Sequence, residues 1–482
     1  MSAFTPSKYQ LVKSQKYRYY YFMMPNSFAI SNFLSAVAHR GRTIIGMPHE
    51  DRKKVTSDKV IELCHKLLSS KGEASGIALS FEILDCYQYL PRQEKLLFFK
   101  ALLSEFSAPQ EQALNAARAF LESPSDSNLA LLSEMSEPMR RRLILRLNQA
   151  DNATLLLITM REDLLEFMRE VPELSDVDKD FKKLFTSWFN GGFLNLKRLD
   201  WSSSASILEK IIRYEAVHNM SGWDDLRKRL DPPDRHIYGF FHPRLEEEPL
   251  IFVEVALTAD KPQEIGFILE DGREFLNPET AKTATFYSIS NCQKGLRGIP
   301  LGSFLIKQVV EDLRETFPAL EEFVTLSPIP GFARWLDNFL DDETKLLPAE
   351  IRSALLELKN TEWLEDENAI SRISGAVQLA VAYYITYEKD RNELPLDSVA
   401  KFHLGNGARL ERTNWPADLS KTGLKNSFGA MVNYSYRLHE IEKNHERFVE
   451  KGEITTSSAI SRSAKGFMNN LTLLESTIDD IA

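Results

Sequence analysis

A chain of 482 residues is long enough for two to four domains at about 150 residues each, and its 43% hydrophobic and 27% charged content is that of an ordinary globular protein. A net charge of −10 with a pI near 5.6, and no broad basic stripe, argues against a nucleic-acid partner, which would need a local surplus of Lys and Arg. Cys64, Cys86 and Cys292 are far apart with no Cys-x-x-Cys or Cys/His spacing, which speaks against a disulfide scaffold or a zinc site and suits a reducing cytosol; no run of 18 apolar residues is present to span a bilayer.

In chain order, the first 54 residues carry nine Lys or Arg against only Glu50 and Asp51. Organelle presequences share such a bias, but few of these residues are Arg, and the run YRYYYF from Tyr17 is unlike a transit peptide. The expectation is a poorly ordered basic tail over residues 1–30 of a cytoplasmic protein. The C-terminal ESTIDDIA carries no peroxisomal tripeptide, and residues 451–482 are expected to be a tail.

From about residue 57 to 190 the pattern is helical. Ser57 and Asp58 are placed to cap KVIELCHKLLSS, Pro91 opens PRQEKLLFFKALLSEF, and Ser125 is placed to cap the next helix. Phe181, Leu184, Phe185 and Trp188 repeat at i, i+3, i+4 and i+7, one apolar stripe that must be buried. No period of 30 to 45 residues recurs, so this half reads as a helical bundle for packing and oligomerisation and not as a solenoid.

After DPPD (231–234) the pattern changes. RHIYGFF, PLIFVEVAL and ATFYSIS are β-branched and aromatic runs bounded by Pro, Gly, Asp and Asn, and they alternate with helical stretches such as GSFLIKQVVEDLRETF. Strands interleaved with helices predict an α/β sheet domain, so the whole is expected to be an α+β multidomain chain. His242-Pro243 with Glu248-Pro249 frames a turn before a strand. Glu215 and His218 in RYEAVH fall three apart on a predicted helix, where packing is expected in preference to metal binding.

Three stretches carry candidate chemistry. ATFYSIS runs into NCQKGLRGIPLGSFLIKQVV, a strand, a glycine loop and a helix, whose Gly295, Gly298 and Gly302 allow close backbone approach to an anion such as a pyrophosphate; it is neither G-x-G-x-x-G nor a P-loop. In FVTLSPIPGFARWL, a short strand ends at Thr325 and two prolines stiffen its exit, so the hydroxyls of Thr325 and Ser327 are held still for chemistry or cap the turn. In the third, Asp397 is placed to cap SVAKFHL, which stops at Gly405-Asn406-Gly407. That puts His403 on the last turn, where the helix dipole favours imidazolium and suits a proton donor. Arg409, Arg412, Trp415 and Asp418 come next, either to orient His403 or to cover the sheet. Asn433 and Tyr436 in MVNYSYRL fall on opposite strand faces unless a bulge intervenes.

The series HPRLEEEPLIFVEVALT, FYSISNCQKGLRGIPLGSFLIKQVV, TLSPIPGFARWL, FHLGNGARLERTNWPADLS and MVNYSYRL, with ILEKIIRYEAVH and WDDLRKRL upstream, closely resembles the malonyl-CoA decarboxylase family from about residue 31 to 445. The resemblance implies a helical oligomerisation domain over 31–174, in a homo-oligomer expected to be a tetramer. It also implies a catalytic domain of the acyl-CoA N-acyltransferase (GNAT-like) fold over 175–450, with a helical insertion at about 340–400. Coenzyme A would lie on Gly295, Leu296, Arg297, Gly298, Ile299, Pro300, Leu301 and Gly302, although Cys292 stands where the acetyltransferase pattern has Arg or Gln. The family's catalytic pair carries over to His403 and a hydroxyl, with Thr325 preferred and Ser327 the alternative; Asn433 and Tyr436 are expected helpers. Malonyl-CoA and acetyl-CoA are the implied substrate and product. No metal or other cofactor is expected, because the thioester itself accepts the electrons. Competing readings are an acyl-CoA N-acyltransferase and a non-catalytic acyl-CoA-binding assembly protein.

Overall fold

A computed structural model describes residues 55–301, 305–342 and 344–479, so the expected basic tail and Gly302 lie outside the described residues. The chain divides into two compact units, residues 1–153 and 154–482.

In the first unit the described residues form helices α1 (Ser57–Ser69), α2 (Glu73–Tyr89), α3 (Arg92–Ser104), α4 (Gln110–Glu122), α5 (Asp126–Ser136) and α6 (Met139–Leu147). Val60, Leu63, Leu67, Ile83, Phe98, Phe99, Leu143 and Leu147 bury their side chains between α1, α2, α3 and α6. Each such side chain contributes about 1.5–3 kcal/mol. Ser125 caps α5 as expected, accepting from the Asn128 amide at 3.3 Å. Ser57 does not cap α1: it is the first helical residue, and its N–H and hydroxyl both donate to Glu94 at 2.7 Å. Helices α4 and α5 bury little, and Leu114, Leu121, Leu129 and Leu131 are exposed.

The second unit opens with α7 (Ala153–Phe167) and α8 (Ser175–Trp188). The stripe on α8 is buried at Phe181, Leu184 and Phe185, with Trp188 packed against Phe185. An eight-stranded sheet comes next, in the order β1 (Asn195–Leu199), β2 (Arg235–Phe241), β3 (Pro249–Thr258), β4 (Thr283–Asn291), β5 (Glu322–Thr325), β8 (Met431–Ser435) and β6 (Ser327–Pro328), with β7 (Arg409–Asn414) also on β8. The first four strands are antiparallel; β5 joins β4 in parallel through Thr283–Phe286 only, after which β4 runs on to Asn291 without it.

Helices α9 (Ala205–Tyr214) and α10 (Trp223–Leu230) cover one face, where Leu208, Ile211 and Leu226 pack on Ile237, Phe241 and Phe252. Helix α11 (Gly266–Leu269) adds Ile268 to that side against Ala256, Leu326 and Met431. Helix α12 (Leu305–Thr316) lies on the other face, where Asp312 accepts a 2.8 Å hydrogen bond from the Tyr238 hydroxyl. Beyond β6 come α13 (Phe332–Asp341), α14 (Ala349–Glu357), α15 (Glu367–Tyr387) and α16 (Ser398–Gly405). Helices α17 (Lys421–Ser427), α18 (Ile441–Lys451) and α19 (Ser458–Asp479) complete the chain; α19 packs on α15, so part of the expected C-terminal tail is an ordered helix.

Candidate active site

Strand β5 ends where the chain leaves β4. The Leu326 amide makes the last bond to that strand, donating to the Phe286 carbonyl at 2.9 Å, and Ser327 then pairs with Val432 of β8. Because successive side chains alternate, Thr325 and Ser327 share one face while Leu326 points into the apolar cluster on the other. Gly331 ends the Pro-Ile-Pro segment, and a Cβ there would collide with the Tyr384 hydroxyl of α15.

Asp397 caps α16, its Oδ1 accepting from the amides of Val399 and Ala400 at 3.0 and 2.9 Å. The helix stops at Asn406, and Gly407 turns the chain with φ +79°; a Cβ there would lie 2.2 Å from the Ile441 carbonyl oxygen. His403 is on the last turn, as expected, but it is 3% exposed, and burial pushes its imidazole down to about 3. The expectation that the helix end would favour imidazolium is therefore reversed: loss of hydration outweighs the dipole, and the ring is neutral.

The ring is fixed from three sides. Its Nε2 lies 3.0 Å from Ser327 Oγ, its Nδ1 lies 2.8 Å from the Tyr436 hydroxyl, and its plane stacks on Tyr434 with centroids 4.6 Å apart. Ser327 Oγ donates to Thr325 Oγ1 at 2.8 Å, and Thr325 Oγ1 also accepts from the Tyr434 amide at 3.1 Å. The single Ser327 proton is thus committed to Thr325. His403 must donate from Nε2 to Ser327 and accept from Tyr436 at Nδ1. Ser327, the second choice from sequence, is the hydroxyl against the imidazole, and Thr325 stands behind it.

Asn433 alternates with Tyr434 and turns away from His403. Its Oδ1 accepts from Arg412 Nε at 3.0 Å and from Asn414 Nδ2 at 2.9 Å, while its own amide donates to the Thr325 carbonyl at 2.7 Å. Arg412 also donates to the carbonyls of Lys261 and Pro262, so it braces the sheet and makes no bond to His403. His242 to Glu248 form the turn between β2 and β3, with Glu248 paired to Lys210 at 2.6 Å.

Sequence reasoning missed Tyr434, although the spacing of Tyr434 and Tyr436 puts both on one strand face. It also missed a second buried cluster on the α9 side. Glu215 ends α9 and accepts from the amides of Val217 and His218 and from the hydroxyls of Ser288 and Ser290. Deeper on β3, Glu254 is fully buried against Arg229 at 2.7 Å, and burial raises its carboxyl to about 8. Two adjoining cavities of about 470 and 570 Å³ open on this side, both reaching Asn219, Arg229 and Leu269. His403 and Ser327 line neither of these two cavities.

In the glycine loop, the amides of Leu296, Arg297 and Ile299 close turns onto Gln293, Lys294 and Leu296, so they are spent within the loop. Gly298 has φ +75°, and with Arg297 and Pro300 it is exposed, whereas Gly295, Leu296, Ile299 and Leu301 are buried. Among the described residues no group of three or more His, Cys, Asp or Glu is placed to hold a metal, and no helix is long and apolar enough to cross a membrane.

The helical first unit and the mixed sheet of the second, with its strand, glycine loop and helix from β4 to α12, make this an α+β multidomain chain. The profile of the malonyl-CoA decarboxylase C-terminal domain matches residues 192–473, and that of the N-terminal domain residues 106–189. Malonyl-CoA decarboxylase, mitochondrial, from Anser anser anser is 36% identical over 358 residues, covering 69% of this chain and 71% of its own. Among solved structures, the malonyl-CoA decarboxylase of Rhodopseudomonas palustris superposes with a TM-score of 0.82 at 48% identity, over 85% of this chain and 100% of that one. That of Cupriavidus metallidurans gives 0.64 at 33% identity, over 84% and 99%. The chain belongs to the malonyl-CoA decarboxylase family and is a carboxy-lyase.

Proposed function

We propose that this enzyme converts malonyl-CoA to acetyl-CoA and CO2 at the His403–Ser327 pair, the observation that carries the reading being the bond from Nε2 to Ser327 with Tyr436 behind the ring. Cleaving the C–C bond releases CO2 and leaves the electron pair as a thioester enolate, which then takes one proton at carbon. Burial keeps His403 neutral before substrate arrives. A malonyl carboxylate placed beside it supplies a counter-charge that favours imidazolium, so the proton is taken up with the substrate and spent on the enolate. Ser327 holds the carboxylate out of the thioester plane, aligning the breaking bond with the carbonyl π system. A fixed donor aimed at the enolate oxygen supplies about 2.7–4 kcal/mol. Thr325 acts behind Ser327, and Asn433 supports the strands.

The exposed leucines of α4 and α5 support a homo-oligomer, with a tetramer as the expected size, tested by light scattering. The buried thiols of Cys64, Cys86 and Cys292 support a cytoplasmic location, tested by fractionation. The central experiment follows CO2 and acetyl-CoA together from purified protein and malonyl-CoA, beside His403→Gln. Stoichiometric release by the wild type alone is the expected result; acyl transfer to an amine without CO2, or binding without turnover, overturns the reading.

A further inference from the structure

Arg161, on α7, is wholly buried, and all three nitrogens of its guanidinium are engaged. Nε donates to Asp178 at 2.8 Å, Nη1 to the carbonyl of Gly295 at 2.5 Å, and Nη2 to the carbonyl of Arg297 at 3.0 Å. Asp178, on α8, is also buried and uses its second oxygen to hold Lys182 Nζ at 3.0 Å. A buried ion pair is weak evidence for stability, because desolvation offsets the attraction. Here its visible effect is on the loop, since two of the three donors grip loop carbonyls. The loop also lies directly on α7: a Cβ at Gly295 would sit 2.0 Å from the Ile158 carbonyl oxygen.

This grip has a directional consequence. In a planar trans peptide the N–H points opposite to the carbonyl before it, so binding the Arg297 carbonyl inward turns the Gly298 N–H outward. At that spot Lys182 is the nearest side chain, its Cε 3.9 Å from where a Gly298 Cβ would be. Lys182 is 47% exposed, and Lys294, tethered to Glu162 at 3.4 Å, is 84% exposed. The trio Arg161, Asp178 and Lys182 carries a net single positive charge beside an outward amide, which is the pairing that a phosphate recognises.

We infer that the hairpin α7–α8 is part of the coenzyme A site: Arg161 sets the loop so that the Gly298 amide faces out, and Lys182 brings an ammonium to a phosphate held there. The inference rests on the loop being where the nucleotide phosphates of malonyl-CoA bind, and it adds residues more than a hundred positions upstream of that loop. Arg161 is a positioning residue; Lys182 touches the substrate.

The test compares Lys182→Gln, Lys182→Arg and Gly298→Val with wild type, measuring kcat and KM for malonyl-CoA and for malonyl-pantetheine, which lacks the nucleotide phosphates. For a half-exposed ion pair, Lys182→Gln is expected to raise the malonyl-CoA KM about two- to fivefold, with a weaker dependence of KM on salt. Lys182→Arg restores it, and the KM for malonyl-pantetheine does not respond. Gly298→Val strains a left-handed backbone and tests the loop itself. If Gly298→Val raises the malonyl-CoA KM and Lys182→Gln does not, the role of the hairpin is overturned while the loop stands. If neither does, the loop reading falls and takes this inference with it. Equal rises for both substrates in Lys182→Gln indicate a structural role and overturn the proposal.

Discussion

Ser327 Oγ stands 3.0 Å from Nε2 of His403 and gives its own proton to Thr325, so the imidazole N–H is aimed at the serine and the serine at the threonine. The order of these three side chains separates two hydroxyls that the sequence leaves side by side. Ser327 touches the imidazole, and Thr325 fixes Ser327.

Ser327→Ala is accordingly expected to lower kcat about 10- to 100-fold, because it removes the acceptor that aims the His403 N–H, and to cost about 1–3 kcal/mol of stability by leaving that buried N–H unpaired. Thr325→Val keeps the shape but leaves the buried Tyr434 amide without its acceptor, at about 1–3 kcal/mol of stability. Its kcat should fall less than tenfold. CO2 release and thermal melting of the two variants side by side give the comparison, and the reverse ranking in kcat sinks the assignment of Ser327.

The neutral state of His403 makes a prediction about pH. Its folded pKa is depressed to about 3, below the ordinary value near 6.5, so between those values the unfolded chain binds the extra proton. Stability therefore rises with pH from about 3 to 6.5 and is lost progressively on acidification through that window. His236, held down to about 3 by burial and by Arg198, acts in the same direction. In catalysis, kcat/KM reports the free enzyme, so its profile should show no inflection near 6.5 from His403. Denaturant titrations of wild type and His403→Gln at pH 5 and 7 should show less acid destabilisation in the variant.

Asn433 supplies a contrast, because it lies within the same strands but bonds to Arg412, Asn414 and the Thr325 carbonyl and not to His403. Asn433→Leu deprives Arg412, Asn414 and the Thr325 carbonyl of a partner, at about 1–3 kcal/mol for each group left buried and unpaired. The expected signature is a large fall in melting temperature, with kcat per folded molecule close to wild type. A fall in kcat comparable to that of Ser327→Ala would return Asn433 to the catalytic group.

Much of this arrangement is legible in the sequence, and the exceptions have physical causes. RHIYGFF, PLIFVEVAL and ATFYSIS announce β2, β3 and β4 because central strands are buried on both faces. NLKRL and RLERTN, which form β1 and β7, do not read as strands because they are largely polar and carry no such run. The Asp397 cap and the stop at Asn406 place His403 on the correct turn. Its charge state is not legible, because burial is a property of the groups that pack over a helix end, here Tyr434, Tyr436 and Ser327. Alternation puts Thr325 and Ser327 on one face, so no pattern could say which one meets a ring contributed 76 residues later. RYEAVH reads as helical throughout, whereas α9 ends at Tyr214 and Glu215 turns to gather hydroxyls from β4.

The Tyr436 hydroxyl is the remaining group on the imidazole, and its effect should be that of orientation. It is 2% exposed and burial raises its pKa well above the ordinary phenol value, so it remains protonated and donates to Nδ1 of the neutral ring. Tyr436→Phe removes that bond while preserving the ring and its edge contact with Phe286. Without the hydroxyl, Nδ1 loses its donor, and the tautomer that presents Nε2–H to Ser327 is no longer enforced. By analogy with partners that orient other functional histidines, kcat should fall about 10- to 100-fold with little change in KM. If Tyr436 works only through His403, the double variant with His403→Gln should be no slower than His403→Gln alone. A double variant that loses activity additively would mean that Tyr436 meets the substrate directly.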